Sequence, residues 1–413
     1  MVSKFHSNIV EEVKGDIISL NDSSGMELAG LRIFGKTFQN GIPSPDAPAA
    51  LESVGKDGSV GVTVCGKNLA PNFKNNTVNG AVFTANDDGS VTVSGTATNQ
   101  SIFSRSVYLP KGTYCVSGAP SGSAIGSWDM YVTYDSVVRA RSYDGSTQTV
   151  FSLEKGTTLY LVLRVPSGTL KSKTFYPQLE VGTVATKYEP SEKKNLSVPT
   201  PNGLPGIPVT SDGNYTDETG QQWICDEIDF ANGKYIQRVY RYTFTGQEKF
   251  SSLDSGKTLG SQLKELGLPV CVVPQNSSGS NISPMLCSHE KVTSQNELKN
   301  GTDAGIAVAT WGGTHYVYFS GAYYGNVDGL KTALANAYAS GNPYVWLYAL
   351  ATHDIRELTE AEKADYTALR TNYPNTTVFN DENAGMGIRY IADTKLYIDN
   401  KFQALEAAIA KLI

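Results

Sequence analysis

A mainly β chain of sandwich or jelly-roll modules, closed by a short α-helical coiled-coil segment, is what this sequence predicts, on three observations. Only 18% of its 413 residues are charged, while glycine numbers 40 and tyrosine 23, a balance poor in helix formers and rich in turn and strand formers. Short runs of alternating apolar and polar residues recur between Gly, Pro, Asn and Asp along most of the length. Helical spacing of apolar residues is confined to the last third. The length exceeds what one hydrophobic core ordinarily serves, so roughly two to four domains are expected.

The first region, 1–69, alternates strand runs such as GDIISL (15–20), GLRIFG (30–35) and VGVTVCG (60–66) with turns and the extended proline stretch GIPSPDAP (41–48). Residues 70–195 read as a self-contained β-sandwich of jelly-roll type. Its clearest signal is the hairpin AVFTANDDGSVTVSG (81–95), where Gly89 supplies the positive φ of the turn. TYCVSG (113–118), WDMYVTYD (128–135), TVFSL (149–153), LYLVLRV (159–165) and KTFYPQLEVG (173–182) are expected as further strands. The tripeptide Lys-Asn-Leu stands on both sides of this module, at 67–69 and 194–196, which suggests an insertion into, or a bead beside, the first sheet.

Residues 196–245 continue the β pattern with WICDEIDF (223–230) and KYIQRVYRYTF (234–244). The 246–356 region mixes strands (LPVCVVP, GIAVATW, THYVYFS, YVWLYAL) with a helix over 327–339. A second helix, in 357–388, begins at the capping-box pattern Thr359-Glu360-Ala361-Glu362 and stops before Pro374. In 389–413, Ile391, Ile398, Leu405 and Leu412 recur every seven residues, with Lys395, Phe402 and Ile409 on the other seam position. Ile391, Ile398, Phe402, Leu405, Ile409 and Leu412 are thus the candidate oligomerisation residues, with Lys401 and Glu406 placed to pair between chains.

Net charge is −6, and no Lys/Arg cluster interleaved with aromatics follows a phosphate track, so nucleic acid is not an expected partner. Five widely spaced cysteines, none in CxxC, read as reduced core thiols. His6, His289, His315 and His353 stand apart from any second metal ligand, so neither a metal nor another cofactor is expected. The opening residues lack the apolar stretch of a signal peptide, and no apolar run approaches the roughly 20 residues of a membrane span. Synthesis in a cytoplasm without membrane insertion is the expectation.

No nucleophile elbow, Walker loop or dinucleotide-binding turn occurs. Asp226, Glu227 and Asp229 form the best carboxylate cluster for glycan cleavage, yet a solvated strand edge or a cation contact is the commoner role of such acids, and no catalytic residue is assigned. Sugar binding asks instead for aromatic faces beside planar hydrogen-bonding groups. Trp128, Tyr131, Arg141, Tyr143 and Asp144 offer both around one strand, and Tyr323 and Tyr324 offer aromatics at the GAYYG tip (321–325). Alternation places Trp128, Met130, Val132 and Tyr134 on the core face of that strand, with Trp128 retained because a strand end can leave it exposed.

Several long segments carry a resemblance. ELAGLRIFGKTFQNGIPSPDAP (27–48), CGKNL (65–69), GLPGIPVTSDGNYTDETGQQWICDEIDF (203–230) and TNYPNTTVFNDENAGMGIRYIADTKLYIDNKF (371–402) resemble tail and minor structural proteins of prophages in Gram-positive bacteria. FYPQLEVGTVATKYEP (175–190) is similar to the end of the carbohydrate-binding-like sandwich those proteins carry. The resemblance implies a non-enzymatic virion protein of the distal tail (tail tip, fibre or baseplate periphery), associated with other tail proteins and with itself as a homotrimer. It further implies attachment to a host cell-surface glycan. A purely structural tail role is the alternative, and a glycan-degrading tailspike a more distant one.

Overall fold

The computed structural model describes residues 9–15, 17–20, 27–146, 149–273, 282–369, 376–392 and 402. The chain is mainly β, about half strand and a tenth helix, with many antiparallel sheets and only short helices. It folds as two compact units: residues 1–31, 60–198 and 360–413 form one, residues 32–59 and 199–359 the other. The second unit therefore joins part of the first predicted region to the 246–356 segment.

In the first unit, Ile9–Gly15 pairs along its whole length with Gly385–Ala392. A four-stranded sheet places Thr376–Asn380 between Ile17–Leu20 and Gly58–Cys65, with Lys193–Thr200 on the far side of Gly58–Cys65. The chain leaves that sheet at Cys65 and returns at Lys193, and between these points lies the module bounded by the two Lys-Asn-Leu tripeptides. Asn68, in the first of them, is 1% exposed, and its side chain spends its full capacity on closing the module. Its Oδ1 accepts the amides of Ala70 and Leu179, while Nδ2 donates to the carbonyls of Pro177 and Glu189. A buried amide with such complete satisfaction costs little and fixes where the strands enter and leave.

The module comprises three antiparallel sheets around one hydrophobic core. Val91–Ala97 sits between Ala81–Ala85 and Gly168–Phe175; Gly112–Ser117 sits between Val150–Leu153 and Gln178–Val181. The third sheet runs in the order Ser101–Leu109, Thr157–Val165, Asp129–Tyr134, Val137–Ser142. Alternation is kept: Met130, Val132, Leu161 and Leu163 are 0% exposed in the core, where each large apolar side chain contributes about 1.5–3 kcal/mol. The expected hairpin closes with Gly89 at φ +79° and its amide on the Asn86 carbonyl. The run expected as one strand over 173–182 is instead two, Gly168–Phe175 and Gln178–Val181, because Pro177 has no amide to donate. There the Tyr176 carbonyl lies so close to Gly118 (φ +111°) that a Cβ would stand 1.6 Å from it, so only glycine fits.

In the second unit, Lys234–Thr243 lies between Glu227–Asp229 and Val345–Glu357, and Met285–Cys287 borders the latter. The end of Glu27–Phe34 pairs with Glu227–Asp229 from Arg32 to Phe34. Another sheet orders Ser251–Leu253, Thr258–Gln262, Thr314–Ser320 and Ile306–Trp311. The expected helix spans Val327–Ala339 and buries Leu330 and Leu334 in a core of Phe244, Phe319, Trp346 and Tyr348. LPVCVVP does not become a strand, contributing a single bridge from Cys271 to Leu350.

Helix Glu360–Leu369 starts directly after Thr359, with Glu360 and Glu362 in the first turn where the helix dipole favours them. The heptad reading needs a correction at its first position: Ile391 is a strand residue paired with Val10, because strand Gly385–Ala392 finds a full-length partner in Ile9–Gly15. Phe402 is helical and 63% exposed. Ile398, Leu405, Ile409 and Leu412 lie outside the described residues. No helix among the described residues is long and apolar enough to cross a membrane. All five cysteines are buried free thiols.

Candidate functional site

The face of the Asp129–Tyr134 sheet turned away from the core carries an ordered polar platform. Residues directly opposite on neighbouring strands share a face, and the pairings Asp129↔Arg164, Tyr131↔Arg141, Tyr131↔Val162, Thr133↔Tyr160 and Ile102↔Arg164 assemble it. Asp129 is 0% exposed and takes Arg164 bidentately, Nε at 2.8 Å and Nη2 at 2.5 Å, with Arg141 Nη1 at 3.1 Å. Those bonds to Asp129 hold the Arg164 pKa above its usual value, against the opposing effect of burial. The two guanidinium carbons stand 5.1 and 5.0 Å from the Tyr131 ring centroid, so both planar cations sit against the phenol. Tyr160 and Ile102, 49% and 45% exposed, extend the same face outward.

Of the residues predicted from sequence, Tyr131 and Arg141 are brought together here. Trp128 is corrected: it is 7% exposed, its ring 6.1 Å from Phe175 with the Lys173 ammonium 5.6 Å above it. Its φ of +64° turns the chain into the strand and the indole into the core. Tyr143 is half-buried and Asp144 exposed, but Asp144 works as a loop clasp, accepting the Gly122 amide and donating its own amide to Ser123. Asp129 and Arg164 were missed. A buried acid inside an apolar strand, with an arginine in another apolar strand, was the available signal.

At the GAYYG segment the structure forms a one-turn helix, Gly321–Tyr324, capped by Ser320. Tyr323 is 41% exposed. Tyr324 is only partly exposed, and its hydroxyl turns inward to meet Glu290 Oε1, 3.2 Å from the Tyr344 hydroxyl. Glu290 is 0% exposed, its Oε2 has no hydrogen-bond partner, and burial lifts its pKa to about 8.

The carboxylate cluster is divided among three tasks. Glu227 binds Arg32 and Arg238, at 2.5 and 2.9 Å, while Asp229 holds Asn232. Asp226 fills a β-bulge, where the register shifts between Gln237 and Val239: its Oδ1 accepts the Arg238 and Val239 amides and its Oδ2 the Tyr235 hydroxyl. Burial lifts the Asp226 pKa to about 7, with those three donors acting against the rise. Asp226 also borders a pocket of about 240 Å³ lined by Tyr235, Gln237, Arg241, Asp354 and Arg356 with the 199–203 loop. Among the described residues, no group of three His, Cys, Asp or Glu side chains gathers to hold a metal.

No family model matches the chain, and neither a curated protein nor a solved structure matches it.

Proposed function

We propose that this chain is a phage virion protein of the distal tail that attaches to the bacterial surface, with the jelly-roll-like module at 70–195 binding cell-wall carbohydrate. One observation carries the reading: Arg141 and Arg164, both held by Asp129 and both lying against the Tyr131 ring, beside the exposed Tyr160 and Ile102. Pyranose rings offer an apolar face and a rim of hydroxyls, and this platform offers an aromatic and apolar surface next to fixed guanidinium donors. Because Asp129 already orders both arginines, little conformational freedom remains to be lost on binding. The resemblance of the 27–48, 65–69, 175–190, 203–230 and 371–402 segments to Gram-positive prophage tail proteins supports the virion assignment. Self-association through the C-terminal residues beyond the last described strand, as a trimer, would make weak single contacts intramolecular and so additive in strength.

The test is retention of the purified full chain by isolated Gram-positive cell walls, before and after periodate cleavage of vicinal diols. Retention that periodate abolishes is the expected result. Failure to bind the walls of any susceptible host overturns the proposal, and retention unchanged by periodate overturns its carbohydrate part.

A further inference from the structure

The strand Val345–Glu357 changes character along its length. Trp346 to Leu350 is buried and bordered on both sides, by Val239–Thr243 and by Met285–Cys287 with the Cys271 bridge. The last contact on the second side is the Ala351 amide to the Val270 carbonyl, 2.9 Å. From Ala351 onward every residue to Glu357 is exposed. Among the described residues, the strand pairing of 354–357 is with 234–237, and the outer edge here borders no other strand. Such an edge invites another strand, and natural sheets ordinarily blunt it with charged side chains, proline or a bulge. This one carries Thr352-His353-Asp354-Ile355-Arg356-Glu357 and 54% exposure at Ile355.

We propose that this edge pairs antiparallel with the same edge of a second copy of the chain, Ile355 opposite Ile355. Backbone parity sets the first condition. The Leu358 amide donates to the Gly233 carbonyl at 2.7 Å, which continues the ladder through Arg356↔Tyr235 and Asp354↔Gln237. Alternate residues point their amides and carbonyls to opposite edges, so Leu358, Arg356 and Asp354 turn theirs inward and His353, Ile355 and Glu357 outward. Centred on Ile355, the two copies exchange both hydrogen bonds at that residue and again between His353 of each copy and Glu357 of the other.

Side-chain charge sets the second condition and selects the same register. Asp354 falls opposite Arg356 of the other copy twice over, His353 opposite Glu357 twice, and the one apolar residue opposite itself. A slip of one residue presents inward-turned backbone groups to outward ones. The next slip that keeps parity sets Asp354 against Asp354, or Arg356 against Arg356, at the close non-hydrogen-bonded spacing. Charge alternation that would discourage a foreign strand is thus self-complementary in one register only. Arg356, stacked 4.9 Å over the Tyr235 ring, is held on the same face as Asp354, where both line the pocket. The contact is two-fold, distinct from three-fold association of a C-terminal helix, and it does not depend on the carbohydrate reading.

The test is the mass of the purified full chain by sedimentation equilibrium across a concentration series. Wild type is expected to associate in even multiples, and Ile355→Lys, Asp354→Arg and Arg356→Asp each to weaken that association at least about tenfold. The double exchange Asp354→Arg with Arg356→Asp is expected to restore it, since each new charge then meets its opposite. All three positions lie on an exposed ribbon, and matching thermal unfolding of the variants confirms that they fold. A wild type that never forms even multiples overturns the proposal, as do single variants that associate like wild type or a double exchange that fails to restore the mass.

Discussion

Arg164 straddles Asp129 from the adjacent strand, Nε 2.8 Å from Oδ1 and Nη2 2.5 Å from Oδ2, with the acid fully buried and the arginine side chain 14% exposed. Asp129 is the common anchor of both guanidiniums that lie against the Tyr131 ring. Asp129→Ala is expected to destabilise the chain by about 2–4 kcal/mol, because two partly buried cations lose their partner. Arg141→Gln, which removes one contact and leaves the bidentate pair, is expected to cost less than half of that. Urea unfolding of the three proteins checks the order.

The bulge filled by Asp226 leads to a second outcome. Asp226→Ala leaves the Arg238 and Val239 amides and the Tyr235 hydroxyl without their acceptor, a loss of about 2–4 kcal/mol. Asp226→Asn keeps an acceptor for both amides and costs less. Hydrogen exchange at Arg238 and Val239 reads the effect locally, with both amides exchanging faster in the alanine variant.

Glu290 gives the second unit a pH dependence whose sign follows from its burial. Its folded pKa is raised to about 8, above the ordinary carboxyl value it has when unfolded, so between those values the folded chain binds more protons than the unfolded one. The associated stability is therefore fully present below the unfolded pKa and is lost as pH rises through about 8. Thermal unfolding is expected to show falling stability from about pH 5 to pH 8, at most a few kcal/mol from this group. Glu290→Gln flattens that slope.

Much of this was legible from sequence because strand alternation and helical spacing are local. The placement of Met130 and Val132 in the core, the helix Val327–Ala339 and the hairpin turn at Gly89 all follow from residues within a few positions of one another. What was not legible depends on distant partners. Asp129 looks unremarkable until Arg164, 35 positions away, is placed beside it. The heptad spacing at Ile391 is real, but a strand at Ile9–Gly15 competes for the residue and wins. Tyr131 was expected on the outer face and is there, yet the arginines reduce its own exposure to 9%.

The most direct test of the account is an equilibrium titration of the full chain with solubilised Gram-positive wall polysaccharide, comparing wild type with an Ile102→Ser, Tyr160→Ala double variant. Both side chains are about half exposed on the platform face, so the exchange leaves the core intact. The account predicts saturable binding by wild type and a loss of at least about tenfold in the variant. Equal affinity in the two proteins would contradict it.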